Sequence, residues 1–134
     1  MNDKLREIVN QINLASTDGV LTATIQEDGN TALIVNTEAP ESVIIIVATD
    51  NQLLSITPLI AVSSVDPERV DELNKTLLTL SLPLALSSIG IQDERYVLFG
   101  SMAINTTIEN VIHEIEVQTS NYDDVMEAFD EFIL

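Results

Sequence analysis

Leu5, Ile8, Val9 and Ile12 recur at the i, i+3, i+4, i+7 spacing of one helical face. The chain therefore opens on an amphipathic helix, expected to end near the turn residues Ser16 to Gly19. The period then shortens. Val20 to Gln26, Thr31 to Asn36, Ser42 to Thr49 and Gln52 to Val62 have strand character. The polar turns Glu27-Asp28-Gly29-Asn30 and Thr49-Asp50-Asn51 are of hairpin length, which predicts an antiparallel meander. Pro58 has no N–H to give to a ladder, so its strand needs an edge position, a bulge or an early end there.

A second helix is signalled by Asp66-Pro67-Glu68. Asp66 can cap free amides, Pro67 suits the first helical position, and Glu68 faces the positive end of the dipole. Val70, Leu73, Leu77 and Leu80 line its apolar face until Leu82-Pro83 stops it. Leu84 to Ile91 and Arg95 to Ala103 read as a second hairpin around Gln92-Asp93-Glu94. The last helix opens at Thr106-Thr107-Ile108-Glu109, where Thr106 and Glu109 have capping-box spacing. Ile108, Val111, Ile112, Ile115, Tyr122, Val125, Met126 and Phe129 keep one helical phase across a polar gap near Gln118 to Asn121. Asp123 and Asp124 would favour a restart of the helix near Ser120 or Asn121. The expected fold is α+β, a mostly antiparallel sheet with three helices in the order α-β-β-β-β-α-β-β-α, in one domain over 1–134.

Val43-Ile44-Ile45-Ile46-Val47-Ala48 puts aliphatic side chains on both faces of one strand, because successive residues point to opposite sides. Helices one and three can cover one face. The other then requires helix two, a second subunit or a bound peptide, and a two-fold homodimer is the commonest solution for surplus apolar surface.

Composition narrows the picture. At 134 residues a chain buries roughly two thirds of its unfolded surface, and 46% hydrophobic residues, mostly aliphatic, supply a dense core. No stretch resembles a Pro, Gly or Ser-rich linker. With no Cys there is no disulfide, thiol nucleophile or ordinary zinc framework. The net charge of -17 from 22 acids and five bases repels nucleic acid and anionic lipid, and steers in a protein partner with a basic face. Met1 to Leu14 has no continuous apolar core of a signal peptide, and the aliphatic run Val43 to Ala48 is too short to span a bilayer. A cytoplasmic protein without membrane insertion is expected.

Candidate chemistry centres on Asn110 to Phe132, which holds the one histidine and many carboxylates. His113 falls off the apolar stripe, with Glu109 at i-4 and Glu116 at i+3, the pattern of a solvated His with helical ion-pair partners. HExxH spacing is absent, since Glu114-Ile115-Glu116-Val117 follows. Gly-rich phosphate loops and GxSxG elbows are also absent, and any nucleophilic triad would depend on His113. Paired carboxylates could hydrolyse a glycoside, but the chain has no Trp for a sugar platform. The expectation is no catalytic residue, cofactor or metal. Asp123, Asp124, Glu127, Asp130 and Glu131 form either a solvated helix face or a docking surface for a basic partner. The alternative is a small-ligand binder or metal-dependent carboxylate enzyme built around His113.

The block Leu80 to Glu116 resembles the YjfI family of bacterial proteins of unknown function. The resemblance is carried by Leu82-Pro83-Leu84, Tyr96-Val97-Leu98-Phe99-Gly100 and Ile108 to Glu116, with Pro58 to Val62 and Asp66 to Leu77 similar upstream. It implies an accessory protein near envelope-stress machinery, with a coiled-coil protein of the PspA type as a possible partner. The element order is also similar to that of type III secretion chaperones and YbjN-like proteins. That second likeness implies a chaperone-like, protein-binding and dimeric molecule.

Overall fold

The structure is a computed structural model in which residues 3–16 and 19–134 are described. Thr17 and Asp18, in the turn expected after the first helix, lie outside the described residues. The elements are α1 (Asp3–Ala15), β1 (Leu21–Ile25), β2 (Thr31–Asn36), β3 (Ile44–Ala48), β4 (Gln52–Ala61), α2 (Val70–Ser81), β5 (Ser88–Gln92), β6 (Arg95–Ala103) and α3 (Ile108–Phe129). The expected α+β order holds. The strands form one six-stranded antiparallel sheet in the order β1-β2-β3-β4-β6-β5.

Register decides which side chains share a face. Ala23 lies opposite Ile34, Ala32 opposite Ile46, Ala48 opposite Leu53, Leu53 opposite Met102 and Thr57 opposite Leu98. All three helices pack on this side. Leu5, Ile8, Val9 and Ile12 of α1 and Val111 and Ile115 of α3 cluster with Ile34, Ile44, Ile46, Leu53 and Met102. Leu73 and Leu77 of α2 cluster with Tyr122, Val125 and Phe129 of α3 and with Leu59, Tyr96 and Leu98. Helix two therefore does not cover the opposite face.

Between the two apolar clusters runs a polar seam. Gln118 is 2% exposed; its Oε1 accepts from Ser55 Oγ at 2.7 Å and its Nε2 donates to Thr57 Oγ1 at 2.9 Å. Asn121 Nδ2 donates to the Ala85 carbonyl at 2.9 Å and to Ser87 Oγ at 3.2 Å. These bonds explain two differences from the sequence expectations. The polar gap does not restart the helix: α3 is continuous over 22 residues, because Gln118 and Asn121 face inward and satisfy groups on β4 and on the loop after α2. The fifth strand begins at Ser88 rather than Leu84, since Ala85 is held by Asn121 and Leu86 turns through φ +62°.

The caps follow the same local logic with one shift. Asp66 Oδ1 accepts from the Glu68 amide at 3.0 Å, and a 3₁₀ turn over Pro67–Arg69 leads into α2. At α3 the capping side chain is Thr107, which accepts from the Asn110 amide at 3.1 Å. Thr106 instead accepts from Asn110 Nδ2 at 2.8 Å, so the expected Thr106–Glu109 box does not form. Pro58 sits at a bulge: the β4–β6 register shifts between Pro58 and Ala61, and pairing with β3 ends at Ile56.

Candidate protein-docking surfaces

The uncovered face of the sheet is built from the other half of each alternation. Leu33 lies opposite Ile45, Ile45 opposite Ile56 and Ile56 opposite Phe99. A second row pairs Val47 with Leu54, and Pro58 lies opposite Val97. Leu33, Ile45, Val47, Leu54 and Ile56 are half-buried by one another, Phe99 is 37% exposed, and none belongs to either core cluster. Gly90 makes the surface possible at its β5 margin: a Cβ there would come within 3.1 Å of the Phe99 ring, which lies over the glycine. Leu54, Ile56, Ile91, Val97 and Phe99 line a shallow depression of ≈ 320 Å³ on this face.

Charge is excluded from the face and gathered at its ends. The six strands contain no Asp or Glu. Their one charged residue, Arg95, stands at the start of β6 and donates to the Leu59 carbonyl at 2.6 Å. Glu27, Asp28 and Asp50 lie in the turns at one end of the strands; Glu38, Glu41, Asp93 and Glu94 lie in the connections at the other. Asp28 accepts from the Asn30 and Thr31 amides and from Thr31 Oγ1. The Asn30 amide, then the Thr31 hydroxyl, hold its carboxyl below the usual carboxylate range.

A second apolar surface lies where α2 meets edge strand β5. Leu78 and Leu82 are 69% and 87% exposed and Ile91 is 56% exposed. Asn74, Leu77, Leu78, Ile89, Ile91 and Tyr96 line a groove of ≈ 300 Å³ there.

The acidic residues singled out from the sequence occupy the last turns of α3 and the 3₁₀ turn after it. Asp123, Asp124, Glu127, Asp130 and Glu131 are all exposed. Glu131 is already engaged: its main-chain carbonyl accepts from Arg69 Nη1 at 2.8 Å, and its carboxylate lies 3.9 Å from Arg69 Nη2. Arg69 also meets Glu72 at 3.1 Å and stacks 4.3 Å from the Phe132 ring centroid, clamping the C-terminal turn against the start of α2. Its hydrogen bond to Glu72 raises the Arg69 pKa and lowers that of Glu72. His113 is exposed on α3. Neighbouring Glu114 has its carboxyl pushed up by burial, opposed by an Asn110 hydrogen bond and the His113 charge. Among the described residues no group of three or more His, Asp or Glu is placed to hold a metal ion, and no helix is long and apolar enough to cross a membrane.

The structure thus brings together residues that the sequence reading took only in part. The two-faced character of Val43 to Ala48 was legible, but Leu54, Ile56 and Phe99 were not assigned to the uncovered face. Their signal was present in β4, where Leu54 and Ile56 alternate with Ser55 and Thr57.

Comparison with known proteins agrees with this architecture. The chain is 32% identical over 91 residues to the uncharacterised protein YjfI of Escherichia coli strain K12, a match covering 65% of this chain and 67% of that protein. A chain in the structure of the HopA1–SchA chaperone–effector complex superposes with a TM-score of 0.65 at 10% identity, covering 92% of this chain and 94% of that one. YbjN of E. coli superposes with a TM-score of 0.63 at 18% identity, covering 98% and 94%. These structural likenesses show a shared fold. Residues 2–133 match the family described as an uncharacterised protein conserved in bacteria (DUF2170), and the chain belongs to that family.

Proposed function

We propose that this protein is a non-catalytic, cytoplasmic protein-binding module that holds an apolar segment of another polypeptide on its uncovered sheet face. The observation that carries the reading is the continuous Leu33–Ile45–Ile56–Phe99 row, which no helix among the described residues covers. Exposed apolar surface of this continuity on a soluble fold marks an interaction site. The shared fold with a chain of a chaperone–effector complex supports the same class of function. A coiled-coil protein of the PspA type is the specific partner implied by the family resemblance, and the acidic end of α3, Asp123 to Glu131, is a second contact for a basic partner.

The reading includes a homodimer. Its natural place is the α2–β5 surface, where Leu78 and Leu82 are bare and β5 offers the unpaired backbone of an edge strand. Such a dimer would leave the sheet face free for another protein.

The test is affinity capture at low and at physiological salt with the native chain and with Ile56→Glu, partners being identified by mass spectrometry. A partner retained by the native chain and lost by a folded Ile56→Glu variant supports the reading; equal recovery by both refutes it. Sedimentation of the native chain and of Leu78→Glu tests the dimer separately. A monomeric mass across micromolar concentrations ends that part of the proposal.

A further inference from the structure

We infer that the occupant of the uncovered sheet face is an amphipathic helix whose apolar stripe is bracketed by Lys or Arg at both ends. This rests on the docking reading above and adds the chemistry of the partner.

The conformation follows from hydrogen bonding. Inside the sheet, every central strand has its backbone groups taken by neighbours on both sides. An extended segment laid on the face, rather than along an edge, would find no backbone partners there. A helix satisfies its own amides and carbonyls and presents one apolar stripe, as α1 and α3 do on the covered side. The length follows from the strands. β3 spans five residues, about 17 Å at roughly 3.3 Å per residue, which about eleven helical residues match at about 1.5 Å each.

Charge selects the ends. Over that span the face carries no acid, whereas Glu27, Asp28 and Asp50 stand beyond one end of the strands and Glu41 and Glu94 beyond the other. Asp28 is held ionised by its turn hydrogen bonds. A helix with cations near both termini places them against these acids while its middle stays apolar. A second copy of this chain fits poorly, because its sheet would bring acidic turns against acidic turns at both ends of the contact, and like charges across an interface are destabilising.

The probes are three fluorescein-labelled synthetic helices: one with a Leu stripe and Lys at both ends, one with the same stripe and Glu at both ends, and one with Lys ends and the stripe replaced by Ser and Ala. Each is titrated into the full chain at low salt and at about 0.15 M salt, where screening acts beyond about 8 Å. The first is expected to bind at least about tenfold more tightly than either other at low salt, with the advantage over the Glu-ended helix shrinking as salt rises. Methyl NMR should place the shifts at Leu33, Ile45 and Ile56. Asp50→Lys with Glu94→Lys should reduce the preference for Lys ends and leave the stripe's contribution; Ile56→Lys should abolish binding. If Ile56→Lys fails to fold, Ile45→Thr replaces it. Equal binding of the Lys-ended and Glu-ended helices overturns the charge assignment while leaving the docking reading intact. Absence of shifts on the face with all three helices overturns both. Dimerisation lost with Ile56→Lys assigns the face to a second copy and overturns this inference.

Discussion

On β4 the two sides of one strand depart from the usual rule in opposite ways. Its covered side carries Leu53, Ser55, Thr57 and Leu59, all buried, whereas its uncovered side carries Leu54, Ile56 and Pro58. Two polar residues lie inside between two leucines, and the outside is wholly apolar. Burial here is decided by available partners as well as by polarity. Ser55 and Thr57 are buried at little cost because Gln118 bonds both. Ile56 belongs to a row that continues through Ile45 and Phe99 and Leu54 to a second row with Val47, and no helix among the described residues lies above either. The covered side of β4 determines stability, and in our reading the other side determines binding.

The sharpest way to break that contrast is to remove the seam. Gln118→Ala leaves two buried hydroxyls without their partner and opens a cavity, with an expected loss of about 3 kcal/mol in urea unfolding. Replacing the set together, Ser55→Ala, Thr57→Val and Gln118→Leu, should recover most of this loss, because burying apolar groups of similar shape leaves nothing unsatisfied. If the triple variant is as unstable as Gln118→Ala, the seam contributes something other than mutual satisfaction.

The two sheet glycines repeat the comparison at smaller scale. A Cβ on Gly100, on the covered side, would meet the Leu86 carbonyl oxygen at 2.9 Å and Ser55 Oγ at 3.1 Å. The carbonyl is fixed backbone, so Gly100→Ala should cost about 1–3 kcal/mol. A Cβ on Gly90, on the uncovered side, would meet the Phe99 ring at 3.1 Å. That ring is free to swing outward, so Gly90→Ala should cost less than about 1 kcal/mol. Paired thermal unfolding of the two variants checks the order; a reversed order would mean that something holds Phe99 in place.

The tyrosines make the contrast in pH. Burial raises the pKa of Tyr96 and of Tyr122 above the ordinary phenol value, with Glu41 and Asp123 adding to the effect at Tyr122. The unfolded chain therefore releases these protons first, and stability is whole below about pH 10 and falls as the pH rises further. Alkaline unfolding followed by tyrosinate absorbance should show ionisation and loss of structure together. The residues of the Leu33–Ile45–Ile56–Phe99 row have no titratable group, so its apolar contacts should not change over that range until the fold fails.

Much of this was legible in the sequence because it is local. Helical spacing located α1, the Asp66-Pro67 signal located α2, and short polar turns pointed to the meander. What escaped depended on residues distant in the chain. Leu84 to Ser87 read as strand, yet the Ala85 carbonyl is held by Asn121, 36 residues away. The polar gap read as a break in α3, yet Gln118 reaches Ser55 and Thr57, more than 60 residues away. Thr106 reads as the cap from its spacing to Glu109, yet the backbone places Thr107 there. The both-sided aliphatic run of β3 announced a second covered face, but only the packing of α2 beside α3 showed that no helix among the described residues supplies that cover. The acidic residues Asp123 to Glu131 were read as exposed, and they are; the Arg69 contacts to Glu131 join segments 62 residues apart and had no local signature.

The smallest expected effect on stability is also the most informative about function. Ile56→Thr keeps a β-branched residue in β4, retaining the χ1 restriction that suits a strand. It exchanges a methyl-bearing arm for a hydroxyl on a side chain that is only half-buried, and neither core cluster includes it. Its unfolding free energy should stay within about 0.5 kcal/mol of the native chain, whereas Ile46→Thr, on the covered side of neighbouring strand β3 at 0% exposure, should lose about 2 kcal/mol or more by burying an unpaired hydroxyl and giving up packing. If Ile56→Thr is as costly as Ile46→Thr, the second face is buried in solution, and a concentration-dependent cost would identify a subunit as its cover. If it is near neutral yet weakens binding of the Lys-ended helix, the sheet separates the two roles, with stability on one face and recognition on the other.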